Sequence, residues 1–409
     1  MGKVNDYINK LISFIKNEKP INKEKPWLKY YGDVPESLNY FNGSMYDYLK
    51  DTASKNEKRS AYSYYGNEVT FKSFMKKIDR VASALKEFNI VENECVTICM
   101  PNTPESFALI YAINKIGAIA NIIHPLSSTQ DIERALHETN SSIIFCSDVA
   151  MPKARYIKVK HFIMVPTSES LGTILKTLYN IKSAINMSLE EGMITWKEFL
   201  NYATSDDVYV KRDANSPAAI IYSGGTTGKP KGIVLTNMNF NSLVLSELEI
   251  NKCLGNGISI LAIMPIFHGF GLGCTFHATL VSGGAAIILP SVNPKKFDET
   301  LLKYKPNILA CVPSVLEGLT KSKKLKETDL SFIKCIICGG DSLSGELQEK
   351  IDKFLSDHGS ETHVRTAYGM TECTAGVTMM PKEEVRKDSI GIPCPDTIIR
   401  IFDTNNKEC

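Results

Sequence analysis

The sequence predicts an α/β protein made of two α/β halves. Two observations carry that prediction. Short runs rich in Val and Ile alternate with stretches of helical apolar spacing, the pattern of strands and helices around largely parallel sheets. The chain is also 409 residues long, more than one small core organises, with the 43% apolar and 22% charged residues of an ordinary globular protein.

The first strands are expected at Cys95–Met100, Ser142–Cys146, His161–Val165 and Ala218–Tyr222. A later set is expected at Ile258–Ile263, Ala285–Leu289, Ile308–Val312, Ile333–Cys338 and His363–Ala367. Between them, Phe71–Phe88, Glu105–Ile116 and Asp131–Glu138 repeat apolar residues at helical intervals. The polar stretch Thr204–Ser216 marks a junction, so the expected division is a lead-in over 1–45, a first α/β subdomain over 46–215 and a second over 216–409. Within Pro166–Ala203, Leu171, Leu175, Leu178 and Ile181 fall at helical spacing, and the stripe is expected to pack on the core.

A net charge of +2, from 47 basic and 45 acidic residues, provides no broad field for nucleic acid or an acidic membrane. The opening Met1–Pro20 spaces Val4, Ile8, Leu11, Ile12 and Ile15 as an amphipathic helix, interrupted by charge, and does not read as a signal peptide. Asp6 stands where a myristoylation signal needs Ser or Thr, and no apolar run approaches the length that spans a bilayer. A cytoplasmic location follows as the default. Most of the eleven cysteines lie in apolar, strand-like runs and are expected to be reduced and structural. Cys335 and Cys338 spell CxxC, but a three-residue offset along a strand sends them to opposite faces, which does not suit one metal ion.

The densest chemical signal follows the run Ala218–Tyr222. Ser223, Gly224, Gly225, Thr226, Thr227 and Gly228 place three glycines among hydroxyls, so backbone amides can turn toward an anion without Cβ interference. Lys229 and Lys231 flank Pro230 and supply point cations beside that nest. Only three residues separate Gly224 from Gly228 and Pro230 follows Lys229, so this is not the phosphate loop of the common NTPases. It reads as a phosphate cradle of another kind.

With its company, YSGGTTGKPKG at Tyr222–Gly232 resembles the AMP-forming adenylating superfamily of acyl-CoA synthetases, luciferases and peptide-synthetase adenylation domains. PNTPE at Pro101–Glu105, NKIGAIANIIHPL at Asn114–Leu126 and PIFHGFG at Pro265–Gly271 follow the family order. So do VPSVLEGL at Val312–Leu319, CGGDSLS at Cys338–Ser344, AYGMTE at Ala367–Glu372 and SIGIPCPDTIIRIFD at Ser389–Asp403. KPWLKYYGDVPESL at Lys25–Leu38 is similar to bacterial fatty-acid CoA ligases. The resemblance implies two stacked α/β subdomains with a smaller β-rich, barrel-like part.

It also implies a reaction. A carboxylate attacks the α-phosphorus of ATP, pyrophosphate leaves, and the acyl-adenylate passes to CoA or to a carrier protein. Ser223 to Lys231 would hold the β- and γ-phosphates, with Thr226 and Glu372 near magnesium (Mg2+), an ion satisfied by few hard oxygen ligands. Lys231, Thr371 and Glu372 would be the catalytic groups. Ala367, Tyr368, Gly369, Met370 and Thr371 would contact adenine and the α-phosphate, and Gly339 and Gly340 would bring backbone against the base. Asp341 and Ser342, where many relatives carry small apolar residues or proline, would complete that turn; a helix cap explains them nearly as well. Phe267, His268, Gly269 and Gly271 would face the acyl substrate, with room for the tail left by Gly269, Gly271 and Gly273, while His277 is structural.

Amino-acid-activating relatives place an aspartate in this stretch, and Phe267–Phe276 contains no acid. Burying an ammonium without a counter-ion is costly, so an uncharged tail is expected, a medium or long fatty chain first, with aryl acids as the alternative. The chain stops at Cys409, before the family's mobile C-terminal domain with its lysine, so a fragment with poor turnover is expected. A non-catalytic nucleotide- or acyl-binding module is the alternative.

Overall fold

The computed structural model describes residues 25–183, 188–205, 207–224, 230–382, 385–405 and 407–408. The amphipathic stretch at Val4–Ile15 lies outside them. Sixteen strands form two sheets among the described residues. In chain order they are β1 (Ser60–Tyr64), β2 (Asn67–Thr70), β3 (Cys95–Cys99), β4 (Ile119–Ile122), β5 (Ile143–Ser147) and β6 (His161–Val165). Next come β7 (Met193–Thr195), β8 (Pro217–Ser223), β9 (Lys231–Thr236), β10 (Ser259–Ala262) and β11 (Ala285–Ile288). The last are β12 (Ile308–Cys311), β13 (Cys335–Cys338), β14 (Val364–Gly369), β15 (Gly376–Met379) and β16 (Ile392–Pro393).

One sheet has the order β7-β6-β5-β3-β4-β8-β9, parallel except for β9, which returns antiparallel to β8. The other has the order β16-β15-β14-β13-β12-β10-β11-β1-β2, with a parallel centre and antiparallel edges. β8 and β9, C-terminal to the polar stretch Thr204–Ser216, thus belong with the strands that precede it, while β1 and β2 join the second sheet. The β-rich part is the antiparallel extension β14-β15-β16, and no closed barrel forms among the described residues.

The central strands are apolar on both faces because helices cover both sides, as parallel sheets require. β3 to β6 and β12 to β13 are buried almost throughout. Helix Pro104–Lys115 begins with a Thr103 cap on the Ser106 amide and Pro104 in its first turn, and every one of its residues is buried. Its Phe107 stacks on Phe276 of the second half at 3.4 Å between ring centroids. One apolar core therefore contains residues of both sheets, among them Ile98, Phe107, Ile221, Phe276 and Ile288.

Cys335 and Cys338 pack into different apolar clusters on the two faces of β13, as the strand period requires, and no group of metal-binding side chains occurs among the described residues. Cys373 is exposed, unlike the buried strand cysteines. No helix among the described residues is long and apolar enough to cross a membrane.

Helix Thr173–Ser183 corrects one expectation. None of its residues is buried, and Ile174, Leu178 and Ile181 are 78%, 61% and 72% exposed; only Leu171, before the helix, packs partly on the core. The inward side is polar. Tyr179 donates to Asp148 Oδ2 at 2.6 Å, Ser168 donates to Asn180 Oδ1 at 2.6 Å, and Lys176 pairs with Glu169 at 2.9 Å. Specific hydrogen bonds, and not the apolar stripe, orient this helix.

Candidate functional site

In sheets of this kind a ligand lies beyond the carboxyl ends of the strands, because loops leave there and the strand order turns back. The residues singled out in the sequence gather there. β8 ends at Ser223 and β9 begins at Lys231, and these two residues are opposite each other in the antiparallel pair. The strand pair thus pinches the glycine-rich loop at its base. Ser223 and Gly224 are described; Gly225, Thr226, Thr227, Gly228 and Lys229 lie outside the described residues.

The second sheet meets this base through Glu372. β14 runs out through Ala367, Tyr368 and Gly369, and a single helical turn follows at Thr371–Cys373. Ser223 Oγ donates to Glu372 Oε1 at 3.1 Å. The next residue, Thr374, is buried with φ +70, which a β-branched residue adopts only under strain imposed by its surroundings. A Cβ on Gly269 would collide with the Thr374 carbonyl, and one on Gly369 with the Ala375 carbonyl. Both positions hold glycine because backbone meets backbone there.

A cavity of about 420 Å³ lies between these elements. Its walls include Gly339, Gly340 and Ala367 through Thr371, together with Met264, Pro265, His268, Gly269 and Phe270. Gly340 follows β13 with φ +80, and a Cβ on Gly339 would stand 3.1 Å from the Ala367 carbonyl, so this turn also requires glycine. Asp341 and Ser342 are exposed and do not line the cavity. Neither caps the following helix: Ser344 accepts from the Leu347 amide, and Asp341 accepts instead from the Ser342 amide.

Asn102, in the PNTPE motif of the first half, fixes the loop that carries His268. Its Nδ2 donates to the carbonyls of Ala262 and Met264 at 3.1 and 2.9 Å, and its Oδ1 accepts from the Ile266 amide at 2.9 Å. All three partners belong to the chain leaving β10. His268 also borders a smaller cavity beside Ser223, Gly224 and Phe267. His124 lies in that wall, with its ring centroid 4.2 Å from that of Phe267. Desolvation by the walls, helped by His124, holds the His268 imidazole below the ordinary histidine range. His277 is fully buried between Tyr111 and Asn241, which fits a structural role.

Added side chains would run into Thr374 at Gly269, Pro265 at Gly271 and, just beyond the motif, Leu243 at Gly273, so all three serve close packing, while Gly269 also lines the cavity. Gly271 is buried and does not line the cavity. Sequence reading also missed two wall residues. His124 stood in a recognised motif without a role. Glu247, on helix Asn237–Asn251, reaches the cavity from the buried face formed with Phe240, Leu243, Val244 and Ile250. The signal for it was position: an acid on the apolar stripe of a helix.

A lysine and a carboxylate thus stand at the base of the glycine-rich segment, with a glycine-walled cavity beside them. Residues 49–409 match the sequence profile of the AMP-binding enzyme family, and the chain belongs to that family. It is 25% identical to a long-chain-fatty-acid–CoA ligase of Bacillus subtilis, over 95% of this chain and 71% of that protein. It is 27% identical to a luciferin 4-monooxygenase of Photuris pensylvanica, over 82% of this chain and 60% of that protein. Its fold matches that of a long-chain-fatty-acid-CoA ligase from Archaeoglobus fulgidus with a TM-score of 0.77 at 21% identity, covering 91% of this chain and 73% of that one. The anthranilate CoA ligase AuaEII, solved with anthranoyl-AMP, gives 0.76 at 19% identity, covering 93% and 69%.

Proposed function

We propose that the protein activates a carboxylic acid with ATP. The acid's carboxylate oxygen attacks the α-phosphorus, the bond to the β-phosphate breaks, pyrophosphate leaves, and the acyl-adenylate then gives its acyl group to the thiol of CoA with release of AMP. The observation that carries this reading is the meeting of Ser223, Lys231 and Glu372 at the base of the glycine-rich loop, beside the large cavity. Such a displacement gains most from holding the reactants in line and offsetting charge on the phosphate oxygens.

In this reading the loop from Ser223 to Lys231 holds the β- and γ-phosphates, the part that leaves. Lys231 offsets their charge, Thr371 contacts the α-phosphate, Tyr368 stacks on adenine, and Gly339 and Gly340 admit the base edge-on. His268, fixed through Asn102, positions the substrate carboxylate. Glu372 is a hard oxygen donor open to the site, and with the Thr226 hydroxyl, which lies outside the described residues, it makes a set that suits Mg2+ shared with substrate phosphates. When bound there, the ion supplies positive charge to the phosphate oxygens. The names of the relatives support CoA as acceptor and a fatty acid of medium or long chain as the substrate to test first.

Pyrophosphate exchange into ATP, measured with a panel of fatty, aryl and amino acids, tests this reading. Exchange with fatty or aryl acids is expected. Exchange with amino acids alone would sink the fatty-acid assignment, and exchange left intact by both Lys231→Ala and Glu372→Ala would sink the site.

A further inference from the structure

One wall of the large cavity carries a carboxyl group for which the reaction has no use. Glu247 is 5% exposed, on the inward face of helix Asn237–Asn251. The Cys274 thiol hydrogen-bonds to it, within a cluster of Leu243, Cys274, Ala375 and Phe270. Among the described residues no basic side chain forms an ion pair with it. The buried guanidinium of Arg365 is taken by Asn251 Oδ1 at 2.7 Å and the Ile250 carbonyl at 3.0 Å. Burial raises the Glu247 pKa to about 7, against an opposing effect of the Cys274 thiol.

One thiol does not fill the hydrogen-bonding capacity of a buried carboxyl that faces a cavity, and leaving the rest unmet costs free energy. An alkyl tail filling the cavity would exclude water and offer nothing in return. An ammonium would need the fully charged carboxylate in an apolar setting. An uncharged donor suits the group in either protonation state, since a neutral carboxyl both gives and accepts a hydrogen bond.

We propose that Glu247 is a specificity-determining residue: the cavity takes a carboxylic acid whose tail carries an uncharged hydrogen-bond donor, a hydroxyl or amide N–H, that meets the Glu247 carboxyl. This rests on the reading that the cavity holds the acyl part of the substrate. It replaces the unadorned alkyl tail inferred from the absence of acids in Phe267–Phe276, because the acid arrives from a different helix.

The test compares a straight-chain acid with its hydroxylated positional isomers, by pyrophosphate exchange and by calorimetric binding to the protein. At least one isomer is expected to exceed the parent acid by about tenfold in kcat/KM or affinity, since a site built around a polar contact rejects the analogue that lacks it. Glu247→Gln, which still donates and accepts, is expected to keep the preference. Glu247→Leu is expected to reverse it and improve the parent acid. Should the leucine variant fail to fold, the wild-type comparison decides. Parent acid equal to or better than every isomer, ammonium-bearing acids preferred, or a preference unchanged in a folded Glu247→Leu would each overturn the proposal. Exchange without preference would overturn this inference and leave the reaction standing. Preferential binding without exchange would do the opposite, and neither binding nor exchange would overturn both.

Discussion

Ser223 Oγ and Glu372 Oε1 lie 3.1 Å apart, joined by a hydrogen bond across 149 residues of chain and between the two sheets. Ser223 is the last residue of β8, and Glu372 stands three residues beyond the end of β14. The pair therefore ties the base of the glycine-rich loop to the turn that follows β14.

If Glu372 acts through its charge and Ser223 only orients it, the two are not equivalent. Glu372→Gln is expected to lower pyrophosphate exchange about 100-fold at saturating acid, the scale of losing one electrostatic contributor. Ser223→Ala is expected to cost less, about tenfold, the lower end for one hydrogen bond to a charged group. The reverse order would contradict these roles.

Asn102 holds three backbone groups of the His268 loop. Asn102→Ala leaves them buried without that partner, and urea unfolding is expected to show a loss of about 2–3 kcal/mol. Steady-state kinetics should show KM for the acid rising more than KM for ATP, because the loosened loop carries the acyl side of the site. Equal changes in both would assign Asn102 to stability alone.

The motif's acid, Glu105, is buried, and Lys77 Nζ stands 2.7 Å from it while Ser170 Oγ donates to the same oxygen. Burial lowers the Lys77 pKa, but attraction to Glu105 outweighs it and the net shift is upward. Lys77→Met strands the carboxylate and is expected to cost about 3 kcal/mol. Adding Glu105→Gln should recover a large part of that loss in the double variant. Simple addition of the two effects would show that the pair is not coupled.

His277 makes stability depend on pH. Burial lowers its pKa from 6.5 to about 3, so the folded state keeps it neutral where the unfolded chain binds a proton. Above pH 6.5 neither state is protonated and nothing changes. As pH falls from 6.5 toward 3, this residue should remove stability at about 1.4 kcal/mol per pH unit. His277→Asn is expected to be less stable at pH 7 but to lose stability less steeply, by about one proton, in urea titrations between pH 7 and 5. An unchanged slope would place the titration elsewhere.

Much of the fold was legible because fully buried strands write themselves as apolar runs. Ile143–Ser147 and Ile308–Cys311 stand within a residue of where Val- and Ile-rich segments placed them. The hairpin Ser60–Tyr64 and Asn67–Thr70 was not legible, since its pairing with β11, more than two hundred residues away, leaves no local trace. β8 was expected as a strand, but the sheet that it and β9 join is decided by β4, which leaves no local trace either. In the site, glycines announced close backbone approach but not its partner: Gly269, in the cavity wall, packs on Thr374. Glu247 escaped because a charged residue ordinarily reads as a solvent face, and only packing reveals that its face is inward.

The proposed reaction requires one continuous site that holds an acyl group and an adenosine monophosphate joined. Calorimetric titration with a non-hydrolysable acyl-adenylate, its phosphate replaced by a sulfamate, tests this without requiring turnover. A single site is expected, with affinity at least about 100-fold above AMP or the free acid alone, weakened by Tyr368→Ala and by His268→Ala. Binding no tighter than AMP, or binding that ignores both substitutions, would contradict the claim.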